Sequence, residues 1–177
     1  FIDFQVDGIV LTGARIASSV IERAARSVPI VVVSRPMRSK TIDTVNNDDH
    51  LGAVLATEHL VSLGHHHICH IDGGNGAGSR QRRAGYEATM IKHDLTPYVE
   101  GAAFTELSGA EATTRAFASG QRVTAIFAGN DLSALGALDT IEATGRRVPD
   151  DVSLVGYDNT FVAALRHVGL TSIDQAR

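Results

Sequence analysis

Tryptophan is absent, and nine phenylalanines and tyrosines make up only 5% of the 177 residues, so the stacking platform that sugars commonly use is poorly supplied here. A single cysteine, Cys69, excludes an internal disulfide; between Ile68 and Ile71 in an apolar run it reads as a buried structural thiol. There is no basic excess either. Sixteen Lys and Arg against twenty Asp and Glu leave a formal charge of -4, so this segment is not a nucleic-acid surface by itself, and a DNA partner would have to be touched by another domain. No run is long and apolar enough to span a membrane, and no charged segment leads into a cleavable apolar one, so neither a span nor a signal peptide is expected.

Chemical signatures are also sparse. No Gly-x-Ser-x-Gly elbow or nucleophile-base pair stands out, which argues for binding without turnover rather than for an enzyme. The loop Gly73-Gly74-Asn75-Gly76-Ala77-Gly78 lacks the Lys-Ser/Thr ending of a phosphate loop and the spacing of a dinucleotide fingerprint, so no cofactor is expected. His65, His66, His67 and His70 resemble a metal cluster, but neighbours in an extended segment point to opposite faces and do not converge on one ion, so no metal is expected.

What is present is alternation. Apolar, β-branched runs predict strands over residues 8–12, 29–34, 42–46, 68–72, 99–104, 124–128, 152–157 and 170–173. Helical patterns fill the gaps at 14–27, 49–63, 80–93, 108–119, 132–143 and 160–166. In the clearest, Ala53, Val54, Ala56, Leu60, Val61 and Leu63 share one arc, with Glu58, His59 and Ser62 opposite and Gly64 as the stop. Such alternation predicts an α/β fold with parallel sheets, and no internal repeat or low-complexity linker interrupts it.

The stretch 124–158 is the most informative. Ala125-Ile126-Phe127-Ala128-Gly129-Asn130-Asp131, then Ala134-Leu135-Gly136, then Gly145-Arg146-Arg147-Val148-Pro149-Asp150-Asp151-Val152, then Gly156-Tyr157-Asp158 describe one βαβ unit whose polar residues stand at strand ends. Gly145 caps the helix, Arg146 and Arg147 follow the negative end of its dipole, and Pro149 prevents continuation. These blocks, in this order, strongly resemble the effector-binding core of the lactose-repressor family of bacterial transcription regulators.

The resemblance implies a periplasmic-binding-protein-like fold of two doubly wound parallel-sheet lobes, with the N-terminal lobe incomplete. Residues 1–63 would form the later part of the N-terminal lobe, 64–168 the C-terminal effector-binding lobe and 169–177 a return crossover, so that lobe closure would be absorbed near Gly64 and Thr171. Family members carry a helix-turn-helix head, a hinge and two further βα units ahead of the segment matched by Phe1, and a closing segment after Arg177. Read this way, the chain is a fragment with an unpaired sheet edge.

The implied function is sensing of a small sugar-like or nucleoside-like effector in an interlobe cleft by a cytoplasmic, homodimeric repressor, which reaches operator DNA through a domain outside this chain. A periplasmic sugar-binding receptor shares the fold and is the alternative. At the implied site, Arg82 offers a planar fork to vicinal hydroxyls or a carboxylate, the lesser alternative being a solvated helix-start cation. Asn130 donates and accepts while Asp158 only accepts, so the pair can read both hydrogen-bonding edges of a ligand. Ser34 and Arg35 match pocket-lining positions of the other lobe; the family often has Asp where Ser34 stands. Asp131 and Asn159 read as caps of the helices that follow them.

Overall fold

A computed structural model describes residues 6–14 and 16–175. The chain forms two compact units, 1–47 and 48–177. The smaller contains β1 (Ile9–Thr12), α1 (Ser18–Ala24), β2 (Ile30–Val33) and β3 (Asp43–Val45) in a parallel sheet of order β1-β2-β3. Ile9 lies opposite Ile30, and Val31 opposite Asp43. Ile30 and Val32 alternate inward along β2 and join Ile21, Val28 and Ile42 in one apolar cluster. The helix is shorter than 14–27. The carbonyls of Ala14 and Ile16 are taken by the Arg35 guanidinium rather than by helical N–H groups, and Ala17 at the N-cap has no side-chain acceptor.

The larger unit runs α2 (Asp49–Ser62), β4 (Ile68–Ile71), α3 (Ser79–Lys92), β5 (Tyr98–Glu100), α4 (Glu106–Ala118), β6 (Ala125–Ala128), α5 (Asp131–Ala143), β7 (Ser153–Asp158) and β8 (Thr171–Asp174). Its sheet has the order β5-β4-β6-β7-β8, every pairing parallel. The twofold alternation of each strand sorts the core into two layers. Ile68, Phe127, Val155 and Tyr157 face Ala53, Ala56 and Leu60 of α2 and Tyr86 and Met90 of α3. Cys69, Ile71, Ile126, Ala128 and Leu154 face Ala112 and Ala116 of α4 and Ala134, Ala137 and Ile141 of α5. Small residues let α4 and α5 touch: a Cβ at Gly109 would strike the Ser133 backbone, and one at Gly136 the Glu106 carbonyl.

Helix α2, which the sequence groups with residues 1–63, packs within the larger unit and buries Ala53, Ala56, Thr57 and Leu60 there, while Leu63 at its end is exposed. Residues 171–174, read from the sequence as part of a return crossover, pair with β7 as the edge strand β8. The helix expected over 160–166 does not form. Its place is held by turns closed by i to i-3 bonds, such as Ala163 N–H to the Thr160 carbonyl (3.0 Å) and Leu165 N–H to the Val162 carbonyl (3.1 Å). The Thr160 N–H is drawn to Asp131 instead, and Asn159 is bonded to Ser172 and Asp174, so neither starts a helix.

Candidate functional site

The chain order makes β4 a switch point. Its successor β5 lies on one side and β6, reached through α4, on the other, so the segments after β4 and β6 diverge and leave a crevice at the carboxyl ends of the strands. Arg82 sits there. Its position in the first turns of α3 aims it across the strand ends, where it is only 5% exposed. Nε donates to Asp49 Oδ1 at 2.9 Å, one terminal nitrogen to the Gly129 carbonyl at 2.5 Å, and the other lies 3.6 Å from Asp158 Oδ1. The guanidinium carbon stands 3.7 Å from the Tyr157 ring centroid and 5.2 Å from that of Phe104. One side chain thus ties α2, α3, the end of β6 and the end of β7.

The surrounding groups are equally engaged. Asp158 and Asn159 have left-handed backbones, φ 103° and 45°, and Asp158 Oδ1 accepts a short hydrogen bond from Gln175 Nε2. Asp72 accepts from the Gly74 N–H (2.9 Å) and the Ala102 N–H (3.3 Å), and its other oxygen lies 3.5 Å from Arg83. Phe104 lies in a cradle of backbone, since a Cβ at Gly73 or Gly76 would strike its ring and one at Gly129 would meet it at 3.0 Å. Burial pushes the Tyr157 phenol up to about 12, with Asp49 and Asp158 adding to the effect and Arg82 opposing it, so the hydroxyl stays protonated.

Asn130, nominated for ligand contact, is the N-cap of α5: its Oδ1 accepts from the Ser133 N–H at 2.9 Å, and Ser133 Oγ accepts from the Asn130 N–H at 3.3 Å. Its Nδ2 faces the Phe104 carbonyl at a long 3.5 Å. Asp131 is therefore not the cap. It is wholly buried, and it accepts from Thr160 N–H (2.6 Å), Thr160 Oγ1 (2.8 Å) and Ser172 Oγ (2.6 Å), fastening β8 and the segment after β7 to α5.

In the smaller unit, Ser34 and Arg35 follow β2. Ser34 has φ 60° and donates its N–H to the Val45 carbonyl (2.9 Å); Arg35 donates to the Ala14 and Ile16 carbonyls (2.9 and 2.5 Å) and to Ser18 Oγ (2.8 Å). Arg82, Asn130 and Asp158 are gathered at one sheet end, and Ser34 and Arg35 at another. Sequence reasoning missed Asp49, Phe104 and Tyr157. Tyr157 stands in the Gly156-Tyr157-Asp158 block and its ring character was the available signal, whereas the approach of Asp49 to a residue 33 positions away left none.

The histidines scatter. His65 bridges Thr124 Oγ1 (3.0 Å) and Ser153 Oγ (2.9 Å), His66 and His67 are exposed, and His70 is buried between Tyr86 and Phe127. Burial pushes the Cys69 thiol up to about 12, which leaves it protonated and unreactive. A groove of about 370 Å³ opens at the amino-terminal ends of β7 and β8, lined among others by His59, Glu142, Ser153 and His167, and shares no residue with the Arg82 cluster. It has no convergent charged core, so the chemistry points to the opposite strand ends.

This arrangement of parallel sheet, switch-point crevice and strand-end polar cluster defines a small-molecule-binding α/β module, and comparison with known proteins places it. Residues 57–176 match the periplasmic binding protein-like domain. The chain belongs to that family, as the effector-binding core found in lactose-repressor-family regulators. It is 35% identical over 138 residues to a probable HTH-type transcriptional repressor, ExuR, of Bacillus subtilis, covering 76% of this chain and 41% of the relative. A LacI transcriptional regulator from a Rhodococcus species superposes with a TM-score of 0.93 at 37% identity, covering 97% of this chain and 65% of that one. The CelR regulator in complex with cellobiose superposes with a TM-score of 0.85 at 31% identity, over 97% of this chain and 54% of the other. The chain thus spans about half the length of the curated relatives it matches. Among the described residues no helix is long and apolar enough to cross a membrane.

Proposed function

We propose that this chain is the sensing core of a cytoplasmic transcription repressor, that it binds a small hydroxyl-rich effector without converting it, and that effector occupancy biases the affinity of an attached helix-turn-helix head for operator DNA. The observation that carries this reading is Arg82. A nearly buried guanidinium tied to Asp49, Gly129 and Asp158 at a switch point is a ligand anchor whose own position depends on four elements, so a ligand that touches it acts on all of them. Asp158, Asn130 and the Phe104 ring line the same end, and a sugar complex of the CelR relative supports the ligand class. Ser34 and Arg35 are assigned to the effector wall of the smaller unit.

The reading includes a homodimer. The dimer is taken from the family resemblance, whose members align paired heads across a twofold interface. The test is operator binding by the full-length protein, with and without candidate sugars, at one stated salt concentration. An affinity change of about fivefold or more with a sugar that is recovered unchanged supports the reading; sugar binding with no operator binding would favour a receptor, and conversion of the sugar an enzyme.

A further inference from the structure

The charge pattern around Arg82 says what kind of effector this core accepts. Anions are usually held by arginine forks, by helix N-termini and by glycine-rich loops that present backbone N–H groups. At the carboxyl ends of the larger unit's strands, the chain's own groups face both arginine forks, put acidic residues at the helix N-termini and take the N–H groups of Gly73, Gly74 and Gly76 in the glycine loop.

Arg82 is bonded to Asp49 and to a backbone carbonyl, with Asp158 beside it. Arg83 is paired with Glu87 at 2.8 Å and lies 3.5 Å from Asp72. Asp49, Asp72 and Asp158 outnumber Arg82 and Arg83, which leaves an excess of one carboxylate in formal charge. The N-terminus of α2 is capped by Asp48 with Asp49 in the first turn, that of α5 carries Asp131, and that of α4 carries Glu106. The N-terminus of α3 has no acidic residue of its own, but Asp49 is packed against it: a Cβ at Gly78 would lie 2.5 Å from Asp49 Oδ2. In the glycine loop, the N–H of Gly73 goes to Ser79 Oγ, that of Gly74 to Asp72 and that of Gly76 to the Gly73 carbonyl. Arg80 is exposed and unengaged by these groups, but two residues from Arg82 it stands roughly 200° around α3 from it. In the smaller unit, Arg35 donates to two carbonyls and a hydroxyl.

We propose, resting on the sensing reading above, that the effector is an uncharged polyol and that its carboxylate and phosphate derivatives are rejected. A neutral sugar donates hydroxyl protons to carboxylates, each of which has several acceptor sites. An anion meets surplus negative charge, and Arg82, the cation buried at that end, already faces the carboxylates of Asp49 and Asp158, so the anion's desolvation is poorly offset.

The experiment uses the full-length protein and matched probes: D-glucose against D-glucuronate and glucose 6-phosphate, D-galactose against D-galacturonate, D-ribose against ribose 5-phosphate, and cellobiose against cellobionate. Titration calorimetry reads binding and an operator assay reads coupling. In at least one set the neutral member binds and its anionic counterparts bind at least about tenfold more weakly. An anionic member that binds as tightly as its neutral counterpart overturns the proposal, as does the absence of binding by every neutral probe. Neutral binding with this preference but no change in operator affinity leaves the charge rule standing and sinks the regulatory reading; an anionic probe that binds best and shifts operator affinity does the reverse. Asp158→Asn, which removes one charge and keeps an acceptor, narrows the gap between neutral and anionic ligands, and an unchanged gap shows that charge is not its source.

Discussion

Asn130 and Arg82 separate two ways in which one side chain serves a site. Asn130 satisfies the Ser133 N–H at the start of α5, so Asn130→Ala removes a cap and costs about 1 kcal/mol in urea denaturation, while Asn130→Asp keeps the acceptor and restores most of it. Effector affinity sorts the roles: recovery with Asp assigns Asn130 to placing α5, and persistent loss assigns its amide to the ligand. Arg82 is the harder loss. Arg82→Ala removes the guanidinium that faces Asp49 and Asp158 in a largely buried setting, so it is expected to lower stability by about 3 kcal/mol as well as to abolish effector binding. Arg82→Lys returns a charge without the fork and recovers part of the stability but little of the binding, which denaturation and calorimetry on the same samples will show.

At the scale of elements, β4 carries an acid-labile point. His70 is fully buried in mid-strand, its Nδ1 donates to the Phe127 carbonyl at 2.9 Å, and its Nε2 has no partner. Burial pushes its pKa down to about 4 from an ordinary 6.5. The unfolded chain therefore binds a proton that the folded one refuses between these values, and stability is fully present above pH 6.5 and falls as pH drops toward 4. The loss approaches about 3 kcal/mol at the acid end. Urea titrations from pH 7.5 to 4 will show this slope, and His70→Phe, which stacks on Phe127 and cannot titrate, will flatten it.

The elements themselves were largely legible. Every expected strand exists because β-branched runs such as Ile30-Val31-Val32-Val33 have no other low-energy use at that length. Five of the six helices exist for the matching reason. The failure at 160–166 is tertiary: its pattern is helical, but Asp131, 29 residues away, takes the N–H and hydroxyl of Thr160 and fixes a turn instead. The site was legible in part for the same reason. Topology lets a sequence nominate Asn130 and Asp158 at strand ends and Arg82 on the helix after the glycine loop, and the three do lie at one end of the larger sheet, but the partners of Arg82 arrive from elements distant in sequence, and no local pattern announces Asp49.

For the whole molecule, the reading proposed above expects the full-length protein to sediment as a homodimer. On that reading operator affinity falls when the dimer is diluted apart, because two heads are needed for two half-sites. A full-length protein that sediments as a monomer at micromolar concentration would overturn it.

The internal pairing of Arg82 reaches into the conditions of the cell. A sensor that grips its ligand through unpaired charge reads ionic strength along with ligand, since small ions compete for the same attraction. Here Asp49 and Asp158 are built-in counterions of Arg82. Effector affinity is therefore expected to stay nearly level when salt is raised from 50 to about 200 mM, whereas DNA binding by an attached head weakens by orders of magnitude. On the sensing reading proposed above, a cell whose interior concentrates under osmotic stress would keep its measure of the effector while its grip on the promoter loosens.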